Sequence, residues 1–200
     1  MWNTSLLQTV KEIQKYSKFC YERGLTVATG GNISIKCPQG VLITASGCSL
    51  QDITEEDTLL IDFNGQVIQG NPEAVPSKEM FLHLTLYQAY CWTQSIVHVH
   101  PRYVTAYSCA RQQFPRVTSS AINKLPASIW VDNAPAGSKL LIENLKHAIE
   151  MAKQEPRIFI LAAHGILTLG KNIREAYYNA ELTEECAHIA YLKGVIENSK

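Results

Sequence analysis

The chain has 200 residues and a mass of 22.3 kDa, enough for one ordinary domain with a sizeable buried core. Apolar residues make up 46% and charged ones 18%, and 18 Lys plus Arg against 18 Asp plus Glu leave a formal net charge of zero. That balance excludes a general nucleic-acid binder and a polybasic membrane reader, which depend on excess cations, and a disordered chain, which needs low hydrophobicity; any anion must be caught by local groups.

The N-terminus turns polar at Asn3, Thr4 and Ser5, so no signal peptide is expected. Leu6, Leu7, Val10, Ile13, Phe19 and Cys20 recur at helical spacing, and Gly24 is the expected stop. Asn32 to Lys36 reads as a strand with Ile33 and Ile35 on one side, and Pro38-Gln39-Gly40 turns it into a second strand at Val41 to Thr44. Thr54 and Asp57 form a loose capping pattern that predicts a short helix. Leu59 to Phe63, Asn64-Gly65 and Gln66 to Ile68 predict a hairpin closed by a type I′ turn. Ser77 is the expected cap of a helix from about Lys78 to Tyr90, Ile96 to Val99 a short strand, and Pro101 the start of another helix.

Met80 to Pro101 lacks Asp, Glu, Lys and Arg, but its histidines, glutamines and hydroxyls rule out a lipid-spanning helix of about 20 apolar residues. Further on, Ser138 caps a helix carrying Leu141, Leu145, Ala148 and Ile149. Arg157 to Ala162 and Ile166 to Leu169 read as apolar strands interrupted at His164-Gly165, and a last helix runs from about Ile173 to near Lys193. No repeat or linker divides the chain, so residues 1–200 are expected to form a single domain. Hairpins mixed with helices favour a largely antiparallel sheet covered by helices. The six cysteines contain no CxxC pair and are expected to be reduced, mostly buried thiols of a cytoplasmic protein.

Chemistry concentrates in a few places. His98 and His100 stand two apart in Ser95-Ile-Val-His-Val-His-Pro101. On a strand, positions two apart project to one face with roots about 6.6 Å apart, close enough to converge on one metal ion or to stand as two satisfied polar residues. His164 interrupts an apolar run beside Gly165, either as a hydrogen-bonded core histidine or as a third ligand. His83, His147 and His188 occupy ordinary helical positions and read as structural or exposed. Glu79, at a predicted helix start, either answers the helix dipole or serves as a ligand or proton-transfer group. Thr29-Gly-Gly-Asn-Ile-Ser34, Thr44-Ala-Ser-Gly47 and Pro76-Ser-Lys78 present glycines and hydroxyls suited to turns or to holding an anion, without a Walker or dinucleotide fingerprint.

Taken in order, Gly30-Gly31-Asn32-Ile33-Ser34, Thr44-Ala-Ser-Gly47, Pro76-Ser-Lys-Glu79, His98-Val-His100 and Ala163-His164-Gly165 resemble the class II aldolase/adducin family, and within it the fuculose-phosphate aldolase branch. The likeness runs from the first helix to Glu181-Leu-Thr-Glu-Glu185. It implies a three-layer α/β/α fold on a central, mostly antiparallel sheet, and a homotetramer with sites between subunits. It also implies one zinc ion per subunit on His98, His100 and His164, with Glu79 as a further ligand and as the catalytic acid/base. Gly31, Asn32, Ser46, Gly47, Ser77 and Lys78 would hold the substrate phosphate. The implied activity is cleavage of a ketose 1-phosphate to dihydroxyacetone phosphate and an aldehyde.

Some positions depart from the branch. Ser77-Lys78 stands where two serines are common, and Pro-Ser-Lys-Glu is similar to 3-oxo-tetronate 4-phosphate decarboxylases. Phe114 to Lys124 contains no tyrosine of the kind aldolases extend to a neighbouring site, and no tail after the last helix is expected to supply a catalytic group. Glu79 sets the chain apart from ribulose-phosphate epimerases, which have Asp there. A third reading, a non-catalytic domain like the adducin head, sits poorly with the complete set of three histidines and Glu79. A small phosphorylated substrate is thus expected, with no nucleic-acid or membrane partner.

Overall fold

The structure, a computed structural model, describes residues 2–199. Helix α1 (Thr4–Glu22) begins where the Asn3 side chain accepts the Leu6 N–H at 2.9 Å and buries Leu6, Val10, Ile13 and Cys20 along one stripe. It ends at Gly24, whose φ of +68° lets Gly24 N–H reach the Tyr21 carbonyl and Leu25 N–H the Cys20 carbonyl. Strands β1 (Asn32–Cys37) and β2 (Gly40–Thr44) form the first hairpin.

Thr54 and Asp57 do not start a helix. Asp57 Oδ2 accepts both the Thr54 N–H at 2.8 Å and its hydroxyl at 2.7 Å, closing a turn. The Asp57 carbonyl meanwhile accepts the Ala45 N–H at 2.7 Å, so the chain is already drawn alongside β2 and enters β3 (Thr58–Ile61) at the next residue. The hairpin to β4 (Val67–Gln69) is present, but its loop has three residues rather than a two-residue type I′ turn. Gly65, at φ +85°, donates to the Asp62 carbonyl, and Asp62 N–H donates to Gln66. Asp62 Oδ1 decides the outcome by accepting the N–H groups of Asn64 and Gln66, each at 2.8 Å, in a type I turn with a glycine bulge.

Helix α2 (Met80–Ala89) starts two residues later than its expected first residue, with Glu79 rather than Ser77 at the cap position. The Ser77 hydroxyl instead accepts the Glu79 N–H at 3.3 Å. Strand β5 (Ser95–Val99) leads through Pro101 into α3 (Arg102–Cys109). The next two elements, α4 (Ser119–Lys124) and β6 (Ser128–Val131), have no counterpart in the sequence reading. The first is too short for a periodic pattern and the second is a half-exposed edge strand. Arg116 fastens this excursion by donating to the Leu125 carbonyl at 2.8 Å and the Pro126 carbonyl at 2.9 Å. Helix α5 (Lys139–Met151), capped by Ser138, precedes β7 (Ile158–Leu161) and β8 (Gly165–Gly170), and α6 (Ile173–Glu197) follows its Asn172 cap.

The eight strands form one sheet in the order β4-β3-β2-β1-β5-β8-β7-β6, antiparallel throughout except for the β6–β7 pair. Side chains from α1, α3, α4 and α6 join one core on one face, including Val97 and Val99 of β5. Side chains from α2 and α5 join the other, with Ile96, Phe159 and Leu167. The result is the expected α/β/α layering. All six cysteines are unpaired, but only Cys20 and Cys186 are buried, while Cys91 and Cys109 are exposed, fewer buried than the sequence suggested. No helix among the described residues is long and apolar enough to cross a membrane.

Candidate metal centre and anion cleft

The sheet register brings the site together. Asn32 on β1 lies directly opposite His98 on β5, at the strand ends next to the start of α2. His98 is fully buried, and its Nδ1 lies 2.9 Å from the Ile166 carbonyl on β8. A carbonyl can only accept, so the bond assigns the proton to Nδ1 and leaves Nε2 as a lone-pair donor aimed inward. His100 follows just past the end of β5. A Cβ at Gly30 would lie 2.9 Å from His100 Nδ1, and one at Gly165 would lie 2.6 Å from His100 Cδ2. Gly30 thus leaves space for this ring, while at Gly165 a Cβ would meet the Val99 carbonyl oxygen first, at 2.4 Å, and the ring second.

His164 stands on the β7–β8 turn, next to Ala163 at φ +52°. The Ser108 hydroxyl of α3 props that turn by accepting the Ala163 N–H at 3.1 Å. Glu79 closes the group from the start of α2. Its Oε2 is 3.0 Å from His98 Nε2, its Oε1 is 3.4 Å from His164 Nε2, and Asn32 Nδ2 donates to Oε2 at 3.2 Å. His100 Nε2 and His98 Nε2 are 3.0 Å apart, and the four ligand atoms all lie within 4.8 Å of one another. Ligands at tetrahedral zinc distances sit about 3.3 Å apart, so the constellation has the size of a first coordination sphere. Three imidazoles and a carboxylate form a donor set suited to a borderline divalent metal.

Burial by itself would raise the Glu79 carboxyl. The surrounding imidazoles, His98 first and then His164 and His100, overcome this and hold the carboxyl well below the usual carboxylate range. Burial, reinforced by neighbouring positive charge, pushes His100 down to about 3 and His164 to about 4. Imidazoles kept neutral near neutral pH keep their lone pairs free for a metal.

The cluster opens into a cleft of about 310 Å³. Gly31 and Asn32 line it from one side, Ser46 and Gly47 from the second, and Ser77 and Lys78 from the third, facing Glu79, His100 and His164. The structure thus brings the sequence-derived candidates to one cavity, apart from His98, which lies behind its wall. Gly47 leaves open space where a Cβ would stand, and Lys78, exposed and without an ion pair among the described residues, is the one lysine or arginine among the lining residues. Asn32 differs from the expectation in one respect: its amide is already engaged by Glu79.

Sequence reasoning missed one group that shapes the site. Pro101 gives α3 no side-chain cap, and Glu184 of α6 supplies it, accepting the Tyr103 N–H at 3.0 Å and the Val104 N–H at 3.0 Å. This fixes the helix that begins one residue after His100-Pro101. Among the other histidines, His147 is exposed, His188 stacks on Tyr103 at 3.9 Å, and His83 is fully buried against Ser34.

The model of the class II aldolase and adducin N-terminal domain matches residues 11–191. The chain belongs to this family. It is 37% identical to the L-fuculose phosphate aldolase of Methanococcus maripaludis over 181 residues, covering 90% of this chain and 95% of that protein. It is also 30% identical to the 3-oxo-tetronate 4-phosphate decarboxylase of Haemophilus influenzae, covering 94% of this chain and 89% of that one. A solved structure of an L-fuculose 1-phosphate aldolase superposes with a TM-score of 0.84 at 32% identity, over 98% of this chain and 89% of that chain. The chain is an enzyme of the class II aldolase type, a carbon–carbon lyase.

Proposed function

We propose that the chain is a zinc-dependent aldolase that cleaves a ketose 1-phosphate such as L-fuculose 1-phosphate to dihydroxyacetone phosphate and an aldehyde. The observation that carries this reading is the convergence of Glu79, His98, His100 and His164 on the wall of a cleft floored by glycines and hydroxyls. His98, His100 and His164 would hold the ion, with Glu79 completing the set. Zinc there supplies Lewis-acid polarisation of a substrate oxygen and stabilises the negative charge left by carbon–carbon cleavage. Gly31, Asn32, Ser46, Gly47 and Ser77 bind the phosphate through backbone N–H groups and hydroxyls, and Lys78 adds a cation at the mouth. Glu79, ionised and bonded to Asn32, holds and returns the proton at its carboxylate oxygens. The protein works as a cytoplasmic homotetramer, for which light scattering should return about four times the chain mass.

Decarboxylation of a 3-oxo acid phosphate is the second reading, favoured by Pro76-Ser-Lys-Glu79 and by the decarboxylase relative. Both reactions leave an enolate that the same site would stabilise. A set of phosphorylated ketoses and 3-oxo acids tested on zinc-loaded protein separates them, triose phosphate marking one and carbon dioxide the other. Stripping zinc with a strong chelator should abolish turnover and zinc should restore it. Full activity in the stripped protein would sink the metal assignment. Glu79→Gln should keep fold and metal while losing at least about a hundredfold in kcat.

A further inference from the structure

Strand β1 and helix α2 carry Asn32 and Glu79, and the same two elements are joined a second time behind the cleft. Ser34 lies two residues beyond Asn32, on the same face of β1. His83 lies four residues beyond Glu79, one helical turn along α2. Ser34 Oγ is 2.7 Å from His83 Nδ1 and 2.9 Å from the Tyr87 hydroxyl. Ser34 and His83 are 0% exposed and Tyr87 3%, and neither Ser34 nor His83 lines the cleft. The two elements are thus clamped at two rungs, Asn32–Glu79 at the site and Ser34–His83 beneath it.

The hydroxyls set the proton order. Each has one hydrogen. If Tyr87 donates to Ser34 and Ser34 donates to His83 Nδ1, both hydrogens are used and the His83 proton sits on Nε2. The reverse order would leave the buried Tyr87 hydrogen without an acceptor. His83 Nε2 has no hydrogen-bond partner among the described residues in either order, so the reverse order strands two buried groups, the Tyr87 hydrogen and this nitrogen, where the first strands one. A buried polar network of this kind is costly unless its arrangement is used.

We propose that Ser34, His83 and Tyr87 form a positioning relay that locks the first turn of α2 against β1, with His83 as the neutral Nε2–H tautomer, and so aims the Glu79 carboxylate between His98 and His164. None of the three touches substrate or metal; they act through Glu79. The inference rests on the proposed role of Glu79 as the proton-transfer group.

Nitrogen-15 imidazole NMR of the zinc-loaded enzyme should show His83 bare at Nδ1 and protonated at Nε2. Ser34→Ala, at wild-type zinc content, should lower kcat on L-fuculose 1-phosphate, or the ketose phosphate the enzyme cleaves, by about tenfold to a hundredfold while KM stays within about twofold. His83→Asn, whose side chain can still meet Ser34, should retain more turnover than His83→Leu. Glu79→Gln is measured alongside. An Nδ1–H tautomer in the wild type would overturn the relay. So would wild-type kcat in Ser34→Ala while Glu79→Gln is inactive, which removes the relay and leaves the Glu79 role standing. Turnover retained in Glu79→Gln would overturn both.

Discussion

Ala163 holds an exposed position in the left-handed region, φ +52°, immediately before His164. An L-residue is disfavoured there because its Cβ crowds the backbone, whereas glycine is not. Ala163→Gly should therefore stabilise the protein, by up to about 1 kcal/mol in urea unfolding. A loss of stability would mean that the alanine methyl is needed in a contact the turn does not reveal. His98 combines two jobs in one ring, bonding the buried Ile166 carbonyl through Nδ1 and facing the cluster through Nε2. His98→Ala should thus reduce metal content and also cost about 1–3 kcal/mol, because a buried carbonyl loses its donor. The HxH spacing made His98 and His100 legible as a pair from sequence. What it left open, metal or satisfied core, depends on where Glu79 and His164 arrive, and those lie 19 residues before and 66 after His98.

Local chemistry decided most element boundaries. Asn3, Ser138 and Asn172 each cap a helix through a side-chain oxygen, and the helices begin where those residues indicate. The departures came where a side chain had a better partner outside its own segment. Asp57 turned a candidate helix start into a strand entry because Ala45 already held its carbonyl. Asp62 wound the Asn-Gly hairpin as a three-residue loop. Helix α3 takes its cap from Glu184, about eighty residues away in the chain, a pairing no local pattern announces. Glu184→Ala should orphan two backbone donors at the first turn of α3 and cost about 2 kcal/mol. Its melting temperature should fall, and His100, one residue before Pro101, should lose affinity for metal in the same variant. Glu184→Gln, which keeps an acceptor, should recover part of both.

Across the whole molecule the buried imidazoles make stability depend on pH. Burial first, then the charge of His98, depresses His83 to about 3, and similar causes hold His100 at about 3 and His164 at about 4, all from an ordinary 6.5. The unfolded chain takes up these protons below pH 6.5 while the metal-free folded chain does not, so the stability is present above that pH and lost as it falls toward 4 and 3. Glu79, held low, adds a further loss below its ordinary 4.5. The urea midpoint of metal-free protein should hold steady above about pH 7 and decline steadily below about 6.5; a flat profile down to pH 5 would contradict this. Zinc should raise the midpoint near neutrality, since it binds only the assembled site.

The sequence by itself determined the long helices and every strand but β6, because periodicity, caps and turn residues act within a few positions of one another. It also determined the cast of the site, since histidines, a carboxylate and glycine-hydroxyl loops are short-range motifs. Zero net charge excluded polyanion binders and is compatible with a cleft where one lysine and backbone donors face an anion. Only the tertiary structure decided that Glu79, His98, His100 and His164 meet, that Gly30 clears room for a ring, and that α6 caps α3. The meeting of the four follows from the antiparallel register that sets Asn32 opposite His98 and from the hydrogen bond that ties Asn32 to Glu79. Such long-range pairings are fixed by burying two faces of one sheet, not by any residue's immediate neighbours.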